Sequence, residues 1–304
     1  IAIRRPMKTP EAGTEVFAVN AGTSTGVTSS FTTDLVFPAG GITGDTNYIG
    51  SRLQGGQSMN SYSTGIEQDT SSNFVWDRQT GWGTNWDTYY AWMFKRAPGF
   101  MDVVCYTGDG ISGREVPHNL GVAPELMIVK GRTGVAKNWG VWCSYTPTKD
   151  IRLNLSGSYG DGNTATTSST TFTLQGMGGT SAINASGATY VTYLFGSVSG
   201  VSKVGSYTGT GADLNVDCGF SAGARFILIK RTDGDGDWRY WDSVRGITTG
   251  NDPFLRYNSS GGQQTGTDLV EPLPSGFIVT GNGSDPGWDQ TNKLNSTYIF
   301  LAIA

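Results

Sequence analysis

The chain has 304 residues, of which 45 are glycine, about twice the usual share, while charged residues make up only 15%. A net charge of -4 together with nine Trp, 13 Tyr and 13 Phe excludes an intrinsically disordered chain, and the glycines lack the three-residue period of collagen. No apolar run is long enough for a transmembrane helix, so membrane insertion is not expected. The acidic balance gives no reason to expect a nucleic-acid partner.

The residues that carry most enzyme chemistry are scarce. His118 is the single histidine, which excludes zinc sites built on two or three histidines. Cys105, Cys143 and Cys218 are odd in number and far apart, which favours buried free thiols over disulfides. No spacing marks a pair of carboxylates for glycoside cleavage. We therefore predict no catalytic, cofactor or metal residues, and we do not expect an enzyme.

The N-terminal segment, residues 1–22, differs from the rest of the chain. It contains Arg4, Arg5 and Lys8 together with Pro6 and Pro10 and shows no apolar period. Such a segment is typical of an extended arm. We predict that the arm docks on another protein through these three basic residues.

The remainder repeats itself. Thr88–Phe94 reads TYYAWMF, Thr189–Phe195 reads TYVTYLF and Thr297–Ile303 reads TYIFLAI. Two further landmarks keep their order in the later copies: a buried run ending in Lys130 or Lys230, and then a Trp-rich run. These repeats predict three copies of one domain, at residues 23–98, 99–199 and 200–304, of which the first is the most diverged.

Each copy consists of short runs rich in Val, Ile, Thr, Tyr and Phe that are separated by Gly, Asn, Asp and Ser, which is the pattern of strands and turns. Helical periodicity is almost absent. The sequence predicts an all-β protein of three tandem β-sandwich domains, jelly-roll-like, with an extended N-terminal arm. The connections at 95–99 and 196–200 are short, so we expect a row of closely coupled sandwiches.

Two segments could hold ligands. Asp233–Asp237 is the densest acidic cluster, but it fails the EF-hand pattern at the sixth and twelfth positions, so a hairpin turn is favoured over a cation site. Trp82, Trp86 and Trp288 lie near Asn and Asp in the loop before the last strand of copies one and three. Aromatic faces beside polar groups suit sugar rings, so these three Trp residues are the candidate glycan contacts. The alternative is that they fold back over their own sandwich.

Three segments carry a family resemblance: Trp92–Phe100 (WMFKRAPGF), His118–Glu125 (HNLGVAPE) and Gly223–Thr232 (GARFILIKRT). They resemble a family of phage virion proteins that is abundant in marine and cyanobacterial phages and mostly described as tail-fibre-like. The resemblance covers nearly the whole chain from about residue 31. It implies a structural β-protein on the virion exterior, and it brings no catalytic set to transfer.

The resemblance gives the function we expect: a tail fibre or tail-associated adhesion protein that contacts host surface glycans. Its partners would be other virion proteins and further copies of itself, a trimer by analogy with fibres. A capsid decoration or head-fibre protein without a host ligand is the alternative, and a tailspike-type glycan hydrolase is a third reading.

Overall fold

The computed structural model describes residues 7–40, 47–149, 151–157, 164–175, 183–281, 283 and 287–304. Within these ranges the chain is all-β, and every pairing between its strands is antiparallel. The only helical elements there are three short 3-10 turns, at Gly13–Glu15, Arg52–Gln54 and Trp288–Gln290. None of the described helices is long and apolar enough to span a membrane.

Copy one forms a single six-stranded sheet. Its strands are β1 (Phe17–Ala21), β2 (Leu35–Gly40), β3 (Tyr48–Ser51), β4 (Gln57–Asn60), β5 (Gln68–Asp69) and β6 (Tyr89–Phe94). Their order across the sheet is β1-β6-β2-β3-β4-β5.

Copy two forms two sheets. Its strands are β7 (Met101–Thr107), β8 (Arg114–Pro117), β9 (Leu126–Thr133), β10 (Gly140–Cys143), β11 (Ile151–Arg152), β12 (Thr164–Thr167), β13 (Thr171–Gln175) and β14 (Thr189–Phe195). The larger sheet has the order β11-β10-β9-β14-β7 and the smaller one the order β12-β13-β8.

Copy three repeats this plan. Its strands are β15 (Ser202–Thr208), β16 (Leu214–Asp217), β17 (Phe226–Arg231), β18 (Arg239–Asp242), β19 (Leu255–Arg256), β20 (Val270–Leu273), β21 (Gly276–Val279) and β22 (Thr297–Ile303). The orders are β15-β22-β17-β18-β19 and β16-β21-β20.

The N-terminal arm is shorter than predicted. Phe17 pairs with Phe94 in β6 just as Met101 pairs with Phe195 in β14 and Ser202 with Ile303 in β22. Strand β1 is therefore the first strand of copy one, and the predicted boundary at residue 22 is wrong. The strand is hidden in the sequence because its apolar run, Val16–Val19, is only four residues long and is buried on both faces, so it shows no alternation.

The three large sheets share one hydrophobic core. Alternate residues of each last strand, such as Phe94, Phe195 and Ile303, point to a cluster that draws on all three copies. Aromatic rings close the contacts between copies: the centroids of Phe17 and Phe226 lie 5.4 Å apart, and those of Phe94 and Phe195 lie 6.0 Å apart. We expected a row of sandwiches. The copies instead form a closed ring in which each one contacts the other two.

The same backbone contact closes each seam of the ring. Trp139 in copy two donates its indole N–H to the carbonyl of Asn60 in copy one, at 3.0 Å. Trp238 in copy three donates in the same way to Arg152 in copy two, at 2.9 Å. Asn47 replaces the Trp in copy one and donates to the carbonyl of Arg256 in copy three, at 3.0 Å. These three bonds run in one direction around the ring and give it a threefold internal pseudosymmetry.

Buried lysines strengthen two of the three seams. Lys130 donates to the carbonyl of Thr64 in copy one at 2.9 Å, and Lys230 donates to the carbonyl of Ser156 in copy two at 2.7 Å. Both lysines are at most 1% exposed. Copy one has Ala39 at the same register position, so no lysine occupies that position in copy one.

The outer face of each large sheet is covered differently. In copies two and three it packs against the small sheet of the same copy through a second hydrophobic cluster. Among the described residues of copy one no such sheet is present, and loop aromatics including Phe74, Trp76, Trp82 and Trp86 cover that face. Each copy is therefore layered, with its large sheet buried on both sides.

Candidate functional site

Two of the three predicted glycan contacts are wrong. Trp82 is fully buried and Trp86 is 3% exposed. The centroids of their rings lie 4.7 Å apart with the planes tilted by 34°, and the centroid of the Trp82 ring lies 4.9 Å from that of Phe74. The physical reason is that the described residues of copy one form no small sheet, so these indoles fill the space that a sheet fills in the other two copies.

Trp288 lies in a different environment. It is half-buried at the start of a 3-10 turn that follows Gly287, whose φ of 84° is left-handed and suits glycine. The indole packs against the outer cluster of copy three and leaves part of its surface accessible. It is the one predicted aromatic contact that the fold leaves available to a ligand.

The predicted docking residues are only partly described. Arg4 and Arg5 lie outside the described residues. Lys8 is exposed and forms an ion pair with Glu11 at 2.5 Å, and both side chains are more than two-thirds exposed. An exposed ion pair of this kind contributes little to stability, so Lys8 can exchange Glu11 for an acidic group of another protein.

The turn immediately after Gly287 borders a polar pocket in copy three. The pocket measures about 370 Å³, within the range of small-molecule sites. Its walls come from β18, β19, the loop before β20 and the turn at Gly287. The lining residues are Asp237, Arg239, Phe254, Arg256, Gln264, Thr265, Gly266, Thr267, Gly287 and Gln290.

Arg239 dominates the chemistry of this pocket. Its residue surface is only 4% exposed, and its guanidinium carbon lies 4.8 Å from the centre of the Phe254 ring. Nη1 donates to the carbonyl of Gly287 at 2.8 Å, whereas Nε has no hydrogen-bond partner among the described residues. Burial lowers the pKa of Arg239 to about 10, so the guanidinium stays charged at neutral pH in an environment that compensates it poorly.

Arg256 is better compensated. Its Nη1 lies 3.3 Å from the carboxylate of Asp237, which also accepts a hydrogen bond from Asn258 at 2.7 Å. The backbone N–H of Asp237 in turn donates to Gln290 at 2.8 Å, which ties this wall to the Trp288 turn. Arg256 Nε has no partner among the described residues.

A buried carboxylate fixes the opposite wall. Asp252 accepts the backbone N–H groups of Leu269 and Val270, at 3.2 and 3.1 Å, and its own N–H donates to the carbonyl of Thr267 at 2.8 Å. Burial raises the pKa of Asp252 to about 6. Asp252 thus holds the loop that carries Thr267 through hydrogen bonds to backbone groups of that loop. The Thr267 hydroxyl has no partner among the described residues, although the residue is only 8% exposed.

The acidic cluster Asp233–Asp237 forms a turn between two strands. Asp233–Asp237 connects the antiparallel strands β17 and β18, which confirms the predicted hairpin turn. Asp233 pairs with Arg231 at 2.9 Å. In the described part of the chain no group of three His, Cys, Asp or Glu side chains is placed to hold a metal ion.

His118 and the cysteines are also accounted for. His118 is 6% exposed; its Nδ1 accepts the N–H of Leu120 at 3.2 Å, and burial lowers its pKa. All three cysteines are free, and Cys143 and Cys218 are buried as predicted, whereas Cys105 is partly exposed.

The sequence did carry a signal for the pocket. The run Trp238–Trp241 reads WRYW where copy two reads WGVW, so a charged residue interrupts a strand that is otherwise buried. Buried charges are rare unless paired, which makes such a position a candidate site.

The fold and this pocket define a class: an all-β protein of three internally repeated layered units, one of which carries a polar pocket with a buried arginine. The family described as a domain of unknown function, DUF7483, matches residues 96–304. The chain therefore belongs to the DUF7483 family. The matched range begins where copy two begins, so the family domain comprises copies two and three. No curated protein and no solved structure matches the chain.

Proposed function

We propose that this chain is a structural protein of a phage virion exterior, a tail fibre or tail-associated adhesion protein that binds host surface glycans through the polar pocket of copy three. The observation that carries the glycan contact is a pocket rich in amide, hydroxyl and guanidinium groups whose wall includes Gly287 and Gln290, the residues that flank the half-buried Trp288 and Asp289 in the chain. Sugar sites combine such directional polar groups with an aromatic surface.

The fold suits this function. In the proposal copies two and three are jelly-roll-like sandwiches, and together with the single sheet of copy one they make the body that holds the pocket. The shared aromatic core and the buried outer faces resist local unfolding, which a protein on a particle surface requires. The partners in this proposal are other virion proteins and further copies of this chain. By analogy with phage fibres, the copies would assemble as a trimer.

The capsid decoration or head-fibre reading is supported by one observation. The closed ring makes a short body with one shared core, whereas an extending fibre would be served better by the row that we expected. A decoration protein of this kind would need no host ligand, so the two readings differ in whether the pocket binds sugar. For the hydrolase reading we find no supporting geometry among the described residues.

The test is binding of the purified chain to an array of bacterial surface polysaccharides. The pocket is blocked by Thr265→Trp, because Thr265 is exposed on the pocket wall and a large ring there costs little stability. We expect at least one polysaccharide to bind, and binding to fall with Thr265→Trp and with Trp288→Ala.

The matched control is Thr166→Trp, which places the same ring on an exposed strand of copy two. It should leave binding unchanged. If no polysaccharide binds, or if Thr265→Trp has no more effect than Thr166→Trp, the adhesion proposal fails and the decoration reading gains.

A further inference from the structure

The identity of Arg239 is not dictated by the fold. By strand register its equivalents are Gly140 in β10 and Tyr48 in β3, since each pairs with the equivalent residue of the next strand: Arg256, Arg152 and Asn60. The same backbone frame thus accepts a glycine, an aromatic ring or an arginine. A buried arginine in only one of three equivalent frames calls for an explanation other than packing.

The charges around Arg239 do not balance. Asp237 is the carboxylate among the described lining residues of the pocket, and it is already paired with Arg256. Asp289 also attracts the guanidinium of Arg239, but the Asp289 side chain is 48% exposed. The guanidinium of Arg256 repels that of Arg239. No ion pair within 4 Å joins Arg239 to a carboxylate in the described part of the chain. Among the described lining residues the pocket therefore holds one cation more than it holds anions, Arg239 and Arg256 against Asp237.

Polar groups of the wall lack partners as well. Arg239 Nε, Arg256 Nε and the Thr267 hydroxyl are buried without a hydrogen bond among the described residues. All three can donate a proton. A site with surplus positive charge and unused donors accepts an anionic oxygen better than it accepts a neutral hydroxyl.

We propose that the ligand of the pocket is an acidic sugar whose carboxylate binds the guanidinium of Arg239. The inference rests on the proposed function, because it names the class of glycan that the same pocket takes. A planar guanidinium held against Phe254 and fixed at Nη1 by Gly287 presents its remaining edge in a defined orientation, which matches a planar carboxylate. The ring hydroxyls of the sugar would then face Gln264 and Gln290.

The experiment compares polysaccharides that bind the chain before and after their carboxylates are reduced to primary alcohols. Reduction removes the charge and leaves the sugar ring. We expect it to weaken binding about tenfold or more, the usual effect of losing a hydrogen bond to a charged group. Arg239→Met should weaken binding of the untreated polysaccharide to a similar extent, and reduction should then have no further effect. Arg239→Lys should bind the untreated polysaccharide better than Arg239→Met does.

The outcomes separate the two proposals. Binding that is blocked by Thr265→Trp but survives carboxylate reduction and Arg239→Met would overturn the acidic-sugar inference and leave the adhesion proposal standing. Binding that is lost instead on removal of phosphate groups would also overturn it. If no polysaccharide binds at the pocket, both proposals fail. Arg239→Met must retain the near-UV circular dichroism of the parent chain, and if it does not, Arg239→Gln takes its place.

Discussion

Copies two and three share a strand frame but use the space beside its equivalent positions Gly140 and Arg239 in opposite ways. Beside Gly140 in copy two lies an apolar void of about 20 Å³, lined by residues such as Met127, Val129 and Leu174. Beside Arg239 in copy three lies a polar pocket of about 370 Å³. The registers of β10 with β9 and of β18 with β17 are equivalent, so the backbone pairing alone does not decide between void and pocket.

The difference teaches that a repeated fold can be kept for stability in one copy and modified for binding in another. Features common to both copies serve the ring: Trp139 and Trp238 donate across seams, as do Lys130 and Lys230. Arg239 has no counterpart in copy two, and it lies at the pocket. Three pairs of substitutions test this division.

The largest effect is expected when Arg is placed in the frame of copy two. Gly140→Arg would bury a guanidinium against an apolar void, so the free energy of unfolding should fall by about 3–5 kcal/mol. The reverse change, Arg239→Gly, removes a poorly compensated charge and should cost much less. Urea unfolding of both variants measures the difference, with Gly140→Ala as the control for the loss of glycine. Equal costs for the two changes would show that the void and the pocket are not different environments.

The two seam lysines should behave alike. Burial lowers the pKa of Lys130 and of Lys230 from the usual 10.5 to about 8. Between these two pH values each lysine is mostly neutral in the folded chain and still protonated in the unfolded chain. The free energy of unfolding therefore rises with pH in this range. The stability of the parent chain relative to Lys130→Met or Lys230→Met should therefore rise by about 2 kcal/mol from pH 7 to pH 10.

Lys137→Met provides the control for the lysine experiment, because Lys137 is an exposed lysine of the same copy. Its stability difference from the parent chain should not change over the same pH range. A flat difference for Lys130→Met would contradict the buried seam contact in copy two.

The smallest effect concerns the indole donors. Trp139→Phe and Trp238→Phe each remove one seam hydrogen bond and keep most of the buried ring, so each should cost about 1 kcal/mol. Thermal unfolding of the two variants checks this. Costs that differ strongly between the two positions would contradict the pseudosymmetry of the ring.

Much of the fold could be predicted because it is written in local patterns. Alternating apolar runs gave the strands of copies two and three, and the recurrence of Thr88–Phe94 at Thr189 and Thr297 gave the repeat. Strand β1 was missed because its pattern is short. Closure of the ring depends on contacts between residues far apart in sequence, such as Phe17 with Phe226, which no local pattern contains.

The site was predicted less well. Trp82 and Trp86 look like Trp288 in sequence, since all three stand near glycine, Asn and Asp. What separates them is whether a second sheet covers the outer face of their copy, and that is a tertiary property. Arg239 could have been noticed as a charge within a buried strand, but its pocket is assembled from four separate segments.

The most direct test of the pocket is a crystal structure of the chain with an oligosaccharide released from an acidic polysaccharide that it binds. The account predicts sugar density in the pocket beside Trp288, with a carboxylate oxygen about 3 Å from the guanidinium of Arg239. A bound sugar that lies elsewhere on the molecule, or one that occupies the pocket with its carboxylate turned away from Arg239, would contradict it.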